Sequence, residues 1–154
     1  MVTLIFATNN AHKAEEVKAV LGQYYDIKTL KQAGIFIDIP EPHDTLEKNA
    51  AEKSSVIYNL TNNNCFSEDT GLEVDVLNGE PGVISARYAA DGPFSDNIEK
   101  LLYNLKDKQN RNARFRTIVS LILEGNEYKF EGICKGTIIA YRRGQKGFGY
   151  DSVF

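Results

Sequence analysis

From Val2 to Thr8 the chain is almost unbroken in apolar residues, the pattern of a strand buried on both faces. Asn9-Asn10 interrupt it. Ala14, Val17, Val20 and Leu21 then recur at helical spacing, with Gly22 placed to end the helix. Asp26–Leu30 and Ile35–Ile39 read as short strands, and Pro40-Glu41-Pro42 as a rigid turn. Asp44 with Glu47 three residues on has the form of a capping box. It predicts a helix to about Leu60, ended by Asn62-Asn63-Asn64. Leu72, Val74 and Val76 alternate with Glu73 and Asp75, as in a half-buried strand. Asn78-Gly79 and Pro81-Gly82 are turn signals. Ser95 is placed to cap a third helix whose stripe is Ile98, Leu101, Leu102 and Leu105. Beyond the polar linker Asp107–Asn112, three β segments are expected: Ala113–Glu124, Glu127–Cys134 and Gly136–Arg143, the first turning at Gly125-Asn126. The front half therefore alternates strand and helix and the back half reads as an antiparallel meander, which together make a mixed-sheet α/β protein.

Several polar stretches interrupt this pattern where chemistry is possible. In Cys65-Phe66-Ser67-Glu68-Asp69-Thr70-Gly71, two adjacent carboxylates follow a short apolar run. Like charges held together call for a positive partner, most simply a divalent metal ion; the plainer reading is a polar turn between strands. Thr8-Asn9-Asn10-Ala11-His12-Lys13 joins a strand to a helix. Such a junction aims backbone N–H groups and the positive helix end outward, so it suits an anion. It has no Walker glycines, and taken alone it reads more readily as an Asn-rich turn beside a solvated lysine.

Lys53 and Asn49 lie on the same helical stripe as Leu46, Ala50 and Ile57. A lysine on a core-facing stripe must either snorkel to solvent or meet an anion. Glu41 is held between two prolines, which fix the backbone around its carboxylate whether it serves a ligand or only the surface. Glu41, Glu68 and Asp69 give three loop carboxylates and no His/Cys set, a donor class suited to Mg²⁺ or Mn²⁺ rather than zinc. In Gly147-Phe148-Gly149-Tyr150-Asp151, glycines permit close backbone approach and Tyr150 has a π-face to offer a nucleobase. A Gly-rich turn with core aromatics is the alternative. His12 and His43 pair with no serine or cysteine nucleophile in any familiar pattern.

At 154 residues the chain is long enough for one domain with a sizeable core. A net charge of −3 leaves no basic footprint, so no nucleic-acid partner is expected. No apolar run approaches membrane-spanning length, and no membrane partner is expected. The two cysteines, Cys65 and Cys134, form neither a disulfide framework nor a zinc pattern, and a reducing cytoplasm is the expectation.

Taken in order, these segments resemble one family, the inosine triphosphate pyrophosphatases. The likeness runs through Leu4–Lys13, Asp38-Ile39-Pro40-Glu41, Lys48-Asn49-Ala50, Ser67–Leu72, Gly79-Glu80-Pro81-Gly82, Ser85-Ala86-Arg87-Tyr88 and Gly147–Asp151. Each motif is weak alone; the ordered set is specific and covers essentially the whole chain.

The resemblance implies hydrolysis of (d)ITP or XTP to the nucleoside monophosphate and pyrophosphate. It assigns Thr8, Asn9, Asn10, Ala11, His12, Lys13 and Lys53 to the triphosphate, with Thr70 nearby. It assigns Glu41, Glu68 and Asp69 to Mg²⁺, and Asp69 to proton acceptance. Phe148, Gly149, Tyr150 and Asp151 would line the base pocket, Tyr150 stacking on the purine. An elongated mixed sheet flanked by helices, two lobes around a nucleotide cleft and a homodimer are implied with it.

The chain departs from the family at two points. Asn9 stands where the family carries glycine. The family also continues past the position of Phe154, with a lysine and a Ser-His-Arg motif that contact the substrate. A single domain over residues 1–154, truncated at its C-terminus, is the resulting expectation, with a catalytically impaired nucleotide-binding module as the alternative to an active enzyme.

Overall fold

Strand β1 (Thr3–Phe6) is buried in all but its first residue, as its apolar run requires. Helix α1 (Ala11–Leu21) follows, with the Asn10 side chain capping it by accepting from the Lys13 N–H. Strand β2 (Asp26–Thr29) returns parallel to β1. Helix α2 (Leu46–Thr61) begins at Thr45 rather than Asp44: the Thr45 hydroxyl accepts from the Lys48 N–H. Asp44 instead lies 3.6 Å from the Lys48 ammonium at the surface. Asn62 ends α2 in the left-handed conformation, which asparagine tolerates.

Strand β3 (Cys65–Val74) is longer than the pattern suggests and runs straight through Glu68 and Asp69. The two acids are therefore strand residues, not a turn or loop, because their flanks pair: β3 lies parallel to β1 and antiparallel to the two-residue β4 (Pro81–Gly82). The Leu72–Val76 alternation ends early, as Asp75–Leu77 closes into a 3₁₀ turn. Helix α3 (Asn97–Asn104) is capped by Asp96, not Ser95; Ser95 donates its backbone N–H to Glu99 instead. Strands β5 (Asn112–Leu123) and β6 (Asn126–Thr137) form a hairpin. Its turn is Glu124-Gly125, both with positive φ, one residue earlier than expected. The sheet order is β2-β1-β3-β5-β6, with β4 beside β3. The α/β class with a mixed sheet holds.

Two expected strands are absent. Ile35–Ile39 forms no ladder: Ile35 N–H turns back to Leu30 C=O, and Ile37 C=O accepts from Asn9. Gly136–Arg143 is irregular beyond Thr137 because the Ile138 and Ile139 carbonyls are taken by the Arg111 guanidinium. The back half is a hairpin, not a three-stranded meander.

The computed structural model describes residues 1–154, which divide into two compact units, Met1–Asp69 with Ile118–Glu131 and Thr70–Thr117 with Gly132–Phe154. In the first unit, successive β1 residues feed opposite clusters, as strand geometry demands. Ile5 and Ala7 pack with Leu30, Ile57, Cys65 and Ile122 on the α2 side. Leu4 and Phe6 pack with Ala14, Ile27 and Phe66 on the α1 side, Phe6 and Phe66 stacking at 4.5 Å between ring centroids. The second unit has its own core of Leu72, Val74, Tyr88, Ile98, Leu101, Leu105, Ile138, Tyr150 and Val153.

Among the glycines of that second unit, Gly71 has the closest backbone neighbour. A Cβ there would stand 2.7 Å from the Gly82 carbonyl oxygen and 2.9 Å from its carbon. Backbone atoms cannot swing aside as a side chain can. We expect Gly71→Ala to cost about 1–3 kcal/mol through overpacking, read as a lower urea midpoint at unchanged slope. An unchanged midpoint would mean that β3 and β4 separate freely.

Candidate active site

Period-2 alternation of β3 shapes the site. Cys65 and Ser67 project towards α2, where the Cys65 thiol donates to Ser54 C=O and the Ser67 hydroxyl to Ala50 C=O. Phe66 projects towards α1. Glu68 therefore follows Phe66, and its carboxylate meets Lys13 of α1 at 2.5 Å. Asp69 follows Ser67 to the α2 side. The adjacent acids thus sit on opposite faces of the strand, and each has its own surroundings.

Lys53 is the hub on the α2 face. It is 6% exposed, so it does not snorkel out. Its ammonium donates to Glu41 Oε1 at 2.7 Å and to the Glu68 backbone carbonyl at 2.6 Å. The anion-meeting alternative for this lysine is the one realised, and its anion is Glu41. The Pro40-Glu41-Pro42 turn is brought to α2 by Asn49, one helical turn before Lys53. Asn49 Oδ1 accepts from His43 N–H at 2.9 Å and its amide donates to His43 C=O at 3.3 Å. The sequence showed Asn49 on the buried stripe but carried no sign of what it would hold.

At the β1–α1 junction, Thr8 Oγ1 accepts from Asn10 N–H at 3.0 Å. Asn10 caps the helix, which Ala11 and His12 begin and whose first turn carries Lys13. Asn9 reaches away to Ile37 C=O at 2.9 Å and Asp38 Oδ1 at 3.2 Å. The structure thus brings Lys13, Glu41, Lys53, Glu68 and Asp69 into one hydrogen-bonded and electrostatically linked group within the first unit. An open groove of 690 Å³ elsewhere in that unit, lined by Lys18, Tyr25, Asp26, Lys28 and Gln32, contains none of them.

Asp69 is the unbalanced member. Three carboxylates face two ammonium groups, and Lys53 and Lys13 are engaged with Glu41 and Glu68. Asp69 is 4% exposed, and its Oδ2 is buried without a hydrogen-bond partner. Burial pushes its carboxyl up to about 6, with Glu41 adding to the rise and Lys53 and Lys13 opposing it. No three His, Cys, Asp or Glu side chains converge into a metal cage by themselves. The donor set still fits a small hard cation: it is all oxygen, and it includes one buried oxygen in want of a partner. Mg²⁺ takes one or two protein carboxylates and completes its shell with water and phosphate. The Cys65 thiol, pushed up to about 11 by burial, is inert.

The remaining predicted residues belong to the second unit. Thr70 shares a 2.7 Å hydroxyl hydrogen bond with Thr117, a partner no sequence signal pointed to. Phe148 N–H donates to Asp151 Oδ2 at 2.9 Å, and Gly147 and Gly149 both take positive φ. Gly147 has no room for a side chain, since a Cβ would strike the Asp151 carboxylate. Tyr150 is 6% exposed and its hydroxyl donates to Ser85 C=O at 2.6 Å, so the ring is locked in the core of its unit.

The raised Asp69 carboxyl has a consequence for stability. Its folded value lies above the ordinary one, so folding favours the protonated form and stability is lost as pH rises through about 6. In metal-free buffer Asp69→Asn should therefore stabilise the protein at pH 8 by about 2–3 kcal/mol. That advantage should vanish at about pH 4 and below, where both proteins are neutral at this position. Urea unfolding at a series of pH values checks this; a pH-independent difference would refute it.

The chain resembles known proteins along almost its whole length. The model of the Ham1 family matches residues 4–154. A Flavobacterium johnsoniae protein named dITP/XTP pyrophosphatase is 46% identical over 98% of this chain and 79% of its own length. One of the same name from Bacillus subtilis is 40% identical over 100% of this chain and 80% of its own. The solved structure of a HAM1 protein from Coxiella burnetii superposes with a TM-score of 0.86 at 29% identity, over 100% of this chain and 81% of that one. The Staphylococcus aureus Ham1 structure gives 0.82 at 35% identity, over 99% and 80%. With a family model spanning almost every residue and relatives at this level of identity, the chain belongs to the Ham1 family.

Proposed function

We propose that this protein hydrolyses non-standard purine nucleoside triphosphates, dITP and XTP, to the monophosphate and pyrophosphate. The observation that carries this reading is the unequal neutralisation of three carboxylates in one unit. Glu41 and Glu68 have lysine partners, and Asp69 has none. The names borne by relatives at 40–46% identity support the substrate class.

Breaking the bond between the α- and β-phosphates needs charge neutralisation, alignment and an oriented water. Lys13 and Lys53 supply the positive charge. Their ammonium groups pass from Glu68 and Glu41 to phosphate oxygens as the triphosphate arrives. The start of α1, from Thr8 through Asn9, Asn10, Ala11 and His12, offers its amides and the positive helix end to the same phosphates. One or two of the carboxylates Glu41, Glu68 and Asp69 would then hold Mg²⁺ or Mn²⁺, whose shell is completed by water and phosphate. When bound, such an ion supplies Lewis-acid polarisation of phosphate oxygens and a more acidic water. Asp69 takes the proton of the attacking water as the new O–P bond forms and the old one breaks. Burial raises this carboxyl above the ordinary range in the metal-free protein, which makes it a stronger base than a solvated aspartate, and general-base help is worth about 10²–10⁴-fold. The substrate-binding roles of Thr70, Phe148, Gly149 and Asp151 rest on the family resemblance. So do a homodimer and a cytoplasmic location, the latter together with the free thiols of Cys65 and Cys134.

Pyrophosphate release from dITP and XTP should exceed release from dGTP, should stop when EDTA removes the divalent ion, and should resume with Mg²⁺ or Mn²⁺. Asp69→Asn should lower kcat by about 10²–10⁴-fold while nucleotide affinity changes little. Nucleotide binding by wild type without turnover would replace this reading with a binding module. Turnover untouched by EDTA would remove the metal from it.

A further inference from the structure

The segment that carries Glu41 has no helix or strand of its own. Between Leu30 and α2, Ile35 to Asp44 belongs to no ladder, yet Glu41 meets Lys53 at 2.7 Å. Two asparagine side chains hold its ends. Asn49, fully buried on α2, takes both backbone groups of His43, immediately after Pro42. Asn9, from the β1–α1 junction, takes Ile37 C=O and the Asp38 carboxylate, just ahead of Pro40.

Between these clamps the prolines remove most remaining backbone freedom, since each fixes its own φ and restricts the residue before it. Glu41 is left with little backbone freedom, and Lys53 holds its carboxylate. A carboxamide suits this task because it donates and accepts at once without adding charge beside three carboxylates.

We propose that Asn49 and Asn9 are positioning residues, clamping the two ends of the Pro40-Glu41-Pro42 turn so that the Glu41 carboxylate is held beside Lys53 in the candidate active site. The catalytic part of this role rests on the pyrophosphatase reading; the clamp itself does not. It also explains why asparagine at position 9 is compatible with the site. Its side chain reaches the neighbouring loop and is thereby turned away from the phosphates that the junction would bind.

The test is a double-mutant cycle between Asn49→Ala and Glu41→Gln, read both as kcat for dITP and as the urea unfolding midpoint. Asn49→Ala should lower kcat by about 10–100-fold with KM within about 3-fold, the signature of a misplaced group rather than lost binding. Once Asn49 is gone Glu41 is no longer held, so adding Glu41→Gln should cost less than about 3-fold more. The midpoint shifts should be non-additive in the same sense.

Asn9→Gly should give a smaller loss, about 3–10-fold, because that clamp is solvent-exposed. It should also be non-additive with Glu41→Gln. If Asn49→Ala does not fold, Asn49→Ser takes its place in the cycle. Factors that multiply in kcat and midpoints that add would overturn the proposal and leave the pyrophosphatase reading intact. Absence of dITP turnover in wild type would overturn that reading, and the midpoint cycle would still decide the clamp.

Discussion

A lysine ammonium withdrawn from water has to be met by acceptors, and the placement of Lys53 organises the first unit. Burying a charge of this kind costs several kcal/mol unless partners surround it. The partners come from separate parts of the chain: the Glu41 carboxylate from an irregular loop and the Glu68 carbonyl from β3. Satisfying one ammonium therefore fixes the loop against the helix and the helix against the strand. The polar contacts along the same seam repeat the arrangement, with Ser67 on Ala50, Cys65 on Ser54, and Ser54 sharing a 2.7 Å hydroxyl bond with Ser120. Ile57 and its apolar neighbours supply the packing energy, while these bonds set the register at which α2 lies on the sheet.

That arrangement explains why Asp69 differs from its neighbour. Lys53 spends its hydrogen bonds on Glu41 and on the carbonyl of residue 68, and Lys13 is spent on the other face of β3. Asp69 receives their field but no hydrogen bond at Oδ2. Loss of water then dominates and lifts its carboxyl. A fold that wanted only stability would place a third cation there, or an apolar residue. Leaving one carboxylate short of a partner inside a group of compensated ones sacrifices stability at the point where a ligand with positive charge would recover it.

Much of this was legible in the sequence, and the losses have definite causes. The β1 strand follows from an unbroken apolar run, the α1 and α2 helices from stripes of period 3.6, and the β5–β6 hairpin from its turn signal. Lys53 and Asn49 were visible as polar residues on an apolar stripe, because burial of a helical position depends mostly on its face. Helix starts slipped by a residue wherever two capping side chains stood adjacent, as with Asp44-Thr45 and Ser95-Asp96. Local sequence does not choose between them; the chain's direction of entry does. Ile35–Ile39 looked like a strand because its residues favour extended backbone, but a strand needs a neighbour with free ladder groups. There the Asn9 amide took one of them. Ile138 and Ile139 were lost to the ladder in the same way, through Arg111. In each case a distant side chain competed for backbone groups, and nothing within the segment announces such a competitor.

The adjacency of Glu68 and Asp69 carries the sharper lesson. Side by side in sequence, they suggest a single acidic knuckle whose repulsion needs a metal. On a strand, neighbours are the residues that do not share a face, so the repulsion between them acts on Asp69 less than burial, Glu41 and both lysines do. The group that crowds Asp69 is Glu41, far off in sequence and brought in by a proline-bracketed turn. Two like residues thereby acquire unlike chemistry. Glu68 faces α1 with a lysine at hand and stays a charge-compensated acid, while Asp69 faces α2 in a drier setting and becomes the better base. Unlike surroundings set adjacent carboxylates to different tasks, in the proposed reaction metal holding for Glu68 and proton acceptance for Asp69. Here the division arises from nothing more elaborate than the two-residue period of a β-strand.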